Sequence, residues 1–194
     1  MSGAVRPSSR VWLASGSPRR RDLLTWAGVT VDVHPTHIPE DLQPGVSPIE
    51  HALSLALDKA AAARAPADRL VLAADTVVHR EGRVFDKPVD RDEAEHLLAG
   101  LSGRWHHVTT GVCVGRADER HTFEVTTAVR FRALSAAEIR RYVATGDADD
   151  KAGAYGIQGR AGSFVAQLDG DYTNVVGLPL ERTLAALSDA GWTP

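Results

Sequence analysis

Residues 70–74 read Leu-Val-Leu-Ala-Ala, with no polar side chain, and the run ends on Asp75. A strand that faces water on one side alternates apolar with polar residues. This run does not alternate, so it predicts a buried strand covered on both faces. Cover on both faces requires layers on either side of a sheet, and the rest of the chain supplies them. Strand-like and helix-like segments alternate along it, which is the pattern of an α/β domain.

A short apolar strand is predicted over residues 11–14. Ser17-Pro18 then opens a helix, with Ser as cap and Pro at the first helical position. That helix carries Leu23, Leu24 and Trp26 and stops at Gly28, before a strand over residues 29–33. Ser47-Pro48-Ile49-Glu50 is a capping box, and its helix places Leu53, Leu57 and Ala60 on one face. Glu81-Gly82-Arg83 predicts a turn, and Asp90 starts a helix ending near Gly100. Residues 105–115 and 121–133 read as an antiparallel hairpin. Ser135 to Glu138 forms a second capping box for a helix ending at Gly146. A strand over residues 163–168 and a helix over 179–190 follow. Residues 169–174 read as turn-rich, and residues 175–180 as apolar packing into the last helix. Residues 1–10 are expected to form a flexible leader and residues 11–194 a single domain.

The cations divide unevenly. Of 22 basic residues only Lys59, Lys87 and Lys151 are lysines, against 25 acidic residues and a net charge of −3. A slightly acidic chain is a poor polybasic nucleic-acid binder. The single cysteine, Cys113, allows neither an internal disulfide nor a thiolate zinc cluster, which suits a reducing, cytoplasmic setting. No apolar run is long enough to span a bilayer, so no membrane partner is expected. Several catalytic motifs are absent. No Lys follows a Gly as a P-loop requires, and there is no G-x-G-x-x-G, H-E-x-x-H or G-x-S-x-G. His34 with His37, and His106 with His107, lack metal-ligand spacing and read as solvated or hydrogen-bonded.

Four segments carry chemistry. Residues 13–21, Leu-Ala-Ser-Gly-Ser-Pro-Arg-Arg-Arg, run from a strand through a small-residue turn into a helix N-terminus, where free backbone N–H groups bind anions. Ser15, Ser17 and the arginines crowd the same place. Cations are unfavourable at that end of a helix, so a compensating anion fits, although a capped helix with a solvated basic first turn uses the same residues. Asp75 ends the buried strand, where α/β proteins place ligands, and equally could cap a turn. A carboxylate facing a polyphosphate needs an intervening cation, and Mg²⁺ commonly bridges the two. Asp86-Lys87-Pro88 offers a compact ammonium. Residues 150–159, Asp-Lys-Ala-Gly-Ala-Tyr-Gly-Ile-Gln-Gly, combine close-approach glycines with Gln158, which can both donate to and accept from a base edge; a tight loop with a surface amide is the plainer alternative.

Taken together these segments resemble the Maf family of nucleoside triphosphate pyrophosphatases. The resemblance runs from Val11 to about Leu187. It rests on residues 13–20, Ala74-Asp75-Thr76-Val77-Val78, Asp86-Lys87-Pro88, Leu101-Ser102-Gly103 before His107 and Thr110-Gly111-Val112, residues 151–159, and Val175-Val176-Gly177-Leu178-Pro179-Leu180. It implies a mixed α/β sheet with flanking helices, an inosine-triphosphatase-like fold with a cleft between two lobes. It also implies cytoplasmic, often homodimeric proteins that hydrolyse a nucleoside triphosphate to monophosphate and pyrophosphate with a divalent metal, Mg²⁺ or Mn²⁺. Ser15, Arg19 and Arg20 match its phosphate-binding turn, Lys59 its Lys-Ala helix and Lys87 its Lys-Pro loop. Asp75 matches the proton acceptor, and Arg19, Thr76 and Gln158 the positions linked to base choice. Asp75-Thr76 with Ala-Tyr-Gly-Ile-Gln is similar to the subfamily acting on dTTP and UTP, rather than on 7-methyl-GTP. One departure stands out. The family usually has two acids after its second strand, whereas here Pro39 precedes Glu40.

The resulting expectation is a triphosphate on the 15–20 turn, neutralised by Lys59, Lys87 and a metal held by Glu40 and Asp75. Asp75 then orients or deprotonates the attacking water. The rival classes are a nucleotide-binding regulator of cell division with little turnover, and a nucleic-acid module resting only on residues 19–21. Lys151 fits either substrate contact or an ion pair with Asp149 or Asp150.

Overall fold

The computed structural model describes residues 10–41, 45–117 and 119–193. The expected leader, apart from Arg10, lies outside them; Arg10 pairs with Asp32. The strands are β1 (Val11–Leu13), β2 (Val31–Val33), β3 (Val71–Arg80), β4 (Arg83–Phe85), β5 (Trp105–Arg116), β6 (Glu119–Phe131) and β7 (Val165–Asp169). The helices are α1 (Pro18–Trp26), α2 (Pro48–Ala62), α3 (Arg91–Leu101), α4 (Ala136–Val143), α5 (Tyr172–Val176) and α6 (Leu180–Asp189).

One mixed sheet runs in the order β2-β1-β3-β5-β6-β7, with β4 on β3. β2, β1 and β3 are parallel, and β3, β5, β6 and β7 are successively antiparallel. β1 and β3 are parallel neighbours, so their connection must cross over the sheet, and α2 lies in it. β3 and β4 need only a two-residue turn. Glu81 at φ 52° and Gly82 at φ 77° supply the left-handed pair that such a turn demands.

The buried strand predicted from residues 70–74 is the middle of this sheet and extends to Arg80. One of its edges pairs with β5 from Val71 to His79. On the other edge, β1 reaches only Leu72 and β4 starts only at Val78. Among the described residues, the stretch between them, which holds Asp75 and Thr76, has no strand partner on that side. The sheet is therefore open at the point where its central strand carries a carboxylate.

One face of the sheet packs against Leu23 and Leu24 of α1, Leu97, Leu98 and Leu101 of α3, Ile139 and Val143 of α4, and Leu187 of α6. α2 covers the other face with Ala56 and Ala60 against Val71, Ala73 and Cys113. Its capping box forms as predicted. The buried stripe differs from the predicted one: Ala52, Leu55, Ala56, Lys59 and Ala60 face inward, while Leu57 is exposed. The cause lies in the sheet. A Cβ on Gly111 would sit 2.4 Å from the Ala52 carbonyl oxygen, so helix and strand backbones nearly touch and only small side chains fit between them. Of the apolar residues on α1, Leu23 and Leu24 are buried and Trp26 is 73% exposed. α5 begins within the segment predicted as turn-rich and ends in the apolar stretch that follows it. Its cap, Asp171, accepts hydrogen bonds from the Thr173 and Asn174 backbone N–H groups, a signal that five residues are too few to show as periodicity.

Candidate active site

The cleft at the open edge of β3 has a volume of about 320 Å³. Its walls contain Ser15, Arg19, Arg20, Glu40, Lys59, Asp75, Thr76, Lys87, Lys151 and Gln158. Every residue singled out for the site in the sequence thus borders one cavity, although they span the chain from position 15 to 158.

The β1–α1 turn supplies one wall. Ser17 is the N-cap of α1 by position, yet its side chain makes no capping bond. Its backbone N–H donates instead to Ser15 Oγ at 3.2 Å. The three consecutive arginines part company. Arg19 lines the cleft. Arg20 is 8% exposed and donates to Ser15 Oγ at 3.0 Å, Thr76 Oγ1 at 3.0 Å and the Gly177 carbonyl at 2.8 Å. Arg21 turns outward onto Asp22. The basic patch on which a nucleic-acid reading rested does not exist as a patch. Burial pushes the Arg20 guanidinium below its usual range, and the fields of Asp75 and Glu40 oppose that.

The opposite wall is a chain of alternating charges. Lys59, in the last turn of α2 and 6% exposed, places Nζ 2.6 Å from Asp75 Oδ1 and 2.6 Å from Glu40 Oε1. Lys87, following β4, reaches the other Glu40 oxygen at 2.9 Å. Burial alone would raise the Glu40 carboxyl, but hydrogen bonds from Lys59 and Lys87 outweigh it and hold the group near 2, lowered to about 2. Burial opposes the charge on Lys87 too, and Glu40 reverses the balance and raises it. Glu40 is therefore an acceptor only, gripped by two ammonium groups, and Asp75 shares the first of them.

Among the described residues no group of three or more His, Cys, Asp or Glu side chains is placed to hold a metal ion. Glu40 and Asp75 offer two carboxylates on one cleft. That donor set suits a hard divalent cation which draws its other oxygens from substrate phosphates and water. Four of the eight histidines have ring or hydrogen-bond partners: His34 stacks on Trp12, His79 on His107, and His106 Nε2 meets the Tyr155 hydroxyl at 2.9 Å.

The loop over residues 150–158 closes the far side. Lys151 pairs with Asp150 at 2.5 Å, and its stem lies where a Cβ on Gly156 would be, 2.9 Å from Lys151 Cδ. Gln158 is exposed on the cleft wall. Sequence reading missed Thr36, whose buried Oγ1 has no hydrogen-bond partner among the described residues and which also lines the cleft. It stands in the loop after β2 without a motif to flag it.

A family model described as Maf-like protein matches residues 10–190. The chain belongs to the Maf family. Several relatives are similar over nearly the whole length. A dTTP/UTP pyrophosphatase of Symbiobacterium thermophilum is 49% identical over 182 residues, covering 93% of each chain. One of an Anaeromyxobacter species is 49% identical, covering 94% of this chain and 90% of the relative. One of Bacillus pumilus is 44% identical, covering 94% and 97%. Among solved structures, a nucleoside-triphosphatase / dITP/XTP pyrophosphatase from Mycobacterium abscessus aligns over 95% of this Maf chain and 98% of its own, at 15% identity and a TM-score of 0.43. Among the described residues no helix is long and apolar enough to cross a membrane.

Proposed function

We propose that this Maf chain is a nucleoside triphosphate pyrophosphatase that hydrolyses dTTP and UTP to the monophosphate and pyrophosphate. The observation that carries the reading is Asp75, a carboxylate at the open edge of the central strand, 2.6 Å from Lys59 and lining one cleft with the Ser15–Arg20 turn. Relatives at 44–49% identity that bear the name dTTP/UTP pyrophosphatase support the substrate choice.

The triphosphate lies along the 15–20 turn, where Ser15, Arg19 and Arg20 face it. Lys59 and Lys87 neutralise its remaining charge. Asp75 accepts a hydrogen bond from a water and orients it toward the α-phosphorus. As the water oxygen bonds to phosphorus, the bond from the α-phosphorus to the bridging oxygen breaks, pyrophosphate leaves, and Asp75 takes up the water proton. Stabilising the developing charge is the larger part of the work, because the cleft holds its cations in place before substrate arrives. Glu40 and Asp75 would hold a Mg²⁺ or Mn²⁺ ion, which when bound supplies further neutralisation of the phosphates. Gln158 and Arg19, both on the cleft wall, would read the base. A house-cleaning role, removing pyrimidine nucleotides unfit for nucleic acids in the cytoplasm, follows from that activity.

Pyrophosphate release from dTTP, UTP, CTP and 7-methyl-GTP tests the reading directly. Turnover of dTTP and UTP is expected to exceed that of the other two, and Asp75→Asn should lower it by about 100-fold or more. Asp75→Asn within about tenfold of the parent would remove Asp75 from the chemistry. No release from any of the four with metal present would favour a nucleotide-binding regulator.

A further inference from the structure

Thr76 follows the acid and borders the cleft, but its hydroxyl is already spent. Arg20 Nη2 donates to Thr76 Oγ1 at 3.0 Å, since a guanidinium cannot accept. Thr110 Oγ1 lies 3.2 Å from the Asn174 carbonyl oxygen, which can only accept, so Thr110 donates there. Its one hydrogen is then used. In that arrangement Thr76 is the donor in the 2.9 Å contact between the two threonine hydroxyls. The Gly177 carbonyl, 3.4 Å from Thr76 Oγ1, is a longer and weaker alternative. Proton donation therefore runs one way, from Arg20 to Thr76 to Thr110 to Asn174.

The chain closes on itself. The Asn174 carbonyl also accepts from the Gly177 N–H at 2.9 Å, and the Gly177 carbonyl accepts from Arg20 Nε at 2.8 Å. Asn174 is anchored in turn by Nδ2, which donates to the Val108 carbonyl and to Thr127 Oγ1, both at 2.9 Å. Thr110 and Asn174 are each 0% exposed. Neither lines the cleft.

What this circuit leaves over is informative. Ser15 Oγ accepts from Arg20 Nη1 and from Ser17 N–H, so its remaining polar group is its own O–H. Arg20 has five N–H groups and three are engaged, leaving two. What Ser15 and Arg20 have left over is donors, held in direction by the bonds they already make, which is the requirement for binding an anion.

We propose that Thr110 and Asn174 are positioning residues, which orient Arg20 and Ser15 for a polyphosphate through this donor chain. Thr76 is the link in the chain and contributes its hydroxyl to Arg20 rather than to the base. The inference rests on the reading that the cleft takes a triphosphate.

Thr110→Val removes one hydroxyl at nearly constant volume, and Thr110→Ser keeps it. Binding of inorganic tripolyphosphate, read by calorimetry, and KM and kcat for dTTP are measured for both. Thr110→Val is expected to weaken tripolyphosphate binding and raise KM by about five- to tenfold, with kcat changed less. Thr110→Ser should recover to within about twofold. Arg20→Lys combined with Thr110→Val should be no worse than Arg20→Lys alone, because both act through one guanidinium. Thr109→Val is the control: Thr109 is equally buried but bonds His79 and Thr126, and it should leave binding unchanged. If Thr110→Val does not fold, Thr76→Val cuts the same chain and is read identically. Parental binding in Thr110→Val, or effects that multiply with Arg20→Lys, would overturn the proposal, as would wild-type protein that does not bind tripolyphosphate. The predicted binding pattern without any pyrophosphate release would uphold the positioning role and remove the enzymatic reading alone.

Discussion

His106 is 0% exposed, with Nε2 on the Tyr155 hydroxyl and its ring edge-on to Phe131 at 4.9 Å. Burial holds it neutral, its pKa lowered to about 4 from 6.5. Between those two values the unfolded chain binds a proton that the folded chain refuses, so stability must fall as pH drops through that window. His79, also lowered by burial and by His107, acts in the same sense. Denaturant unfolding at pH 7 and pH 4.5 should show the loss, and the His106 share is at most about 3 kcal/mol. His106→Phe should flatten the slope; an unchanged slope would assign the loss to other groups. The consequence reaches the site, because Tyr155 lines the cleft from the Gly-rich loop.

At the scale of elements, the placement of α2 decides whether Lys59 meets Asp75. Gly111 pairs with Asp75 across the β3–β5 ladder, and the α2 backbone at Ala52 rests directly on it. Ala52 and Lys59 share the buried face of the helix, two turns apart. A methyl group at 111 would lie 2.4 Å from a backbone oxygen, which no rotamer change relieves. Gly111→Ala should therefore lift α2, cost roughly 1–3 kcal/mol and lower turnover with it. Thermal melting and pyrophosphate release on the same preparation check both; a variant that melts and turns over like the parent would mean that helix height is not set here. Sequence signals served elements well where they were local. Both capping boxes, the Glu81-Gly82 turn and the long hairpin stand where the residues placed them. The inward face of α2 was misread because alanine and leucine are both apolar, and only the glycine on the opposing strand selects between them.

For the whole molecule, a net charge of −3 conceals a cleft where Arg19, Arg20, Lys59, Lys87 and Lys151 stand against Glu40, Asp75 and Asp150. Opposed charges at this density leave each cation partly neutralised before substrate binds. A triphosphate entering beside Glu40 and Asp75 would add negative charge, and the divalent cation we propose would offset it. Chelation with EDTA is expected to abolish pyrophosphate release, and added Mg²⁺ or Mn²⁺ to restore it. Full activity after exhaustive chelation would rule out the metal role of these two carboxylates.

Local chemistry was legible without coordinates. The apolar run into Asp75, the small-residue turn into α1 and the rare lysines at positions 59 and 87 are properties of neighbouring residues, and they pointed to a phosphate cleft. The roles of side chains within it were not. Arg19, Arg20 and Arg21 are indistinguishable as letters, and one faces the cleft, one is buried as a clamp and one lies on the surface. Arg20 owes its position to a carbonyl 157 residues away and to a threonine 56 residues away. Helix caps and turns depend on hydrogen bonds within a few residues, so sequence alone determined the two capping boxes and the Glu81-Gly82 turn, though not the cap at Ser17. The direction of a buried donor depends on which acceptors the packed sheet brings to it, and only the tertiary structure decides that.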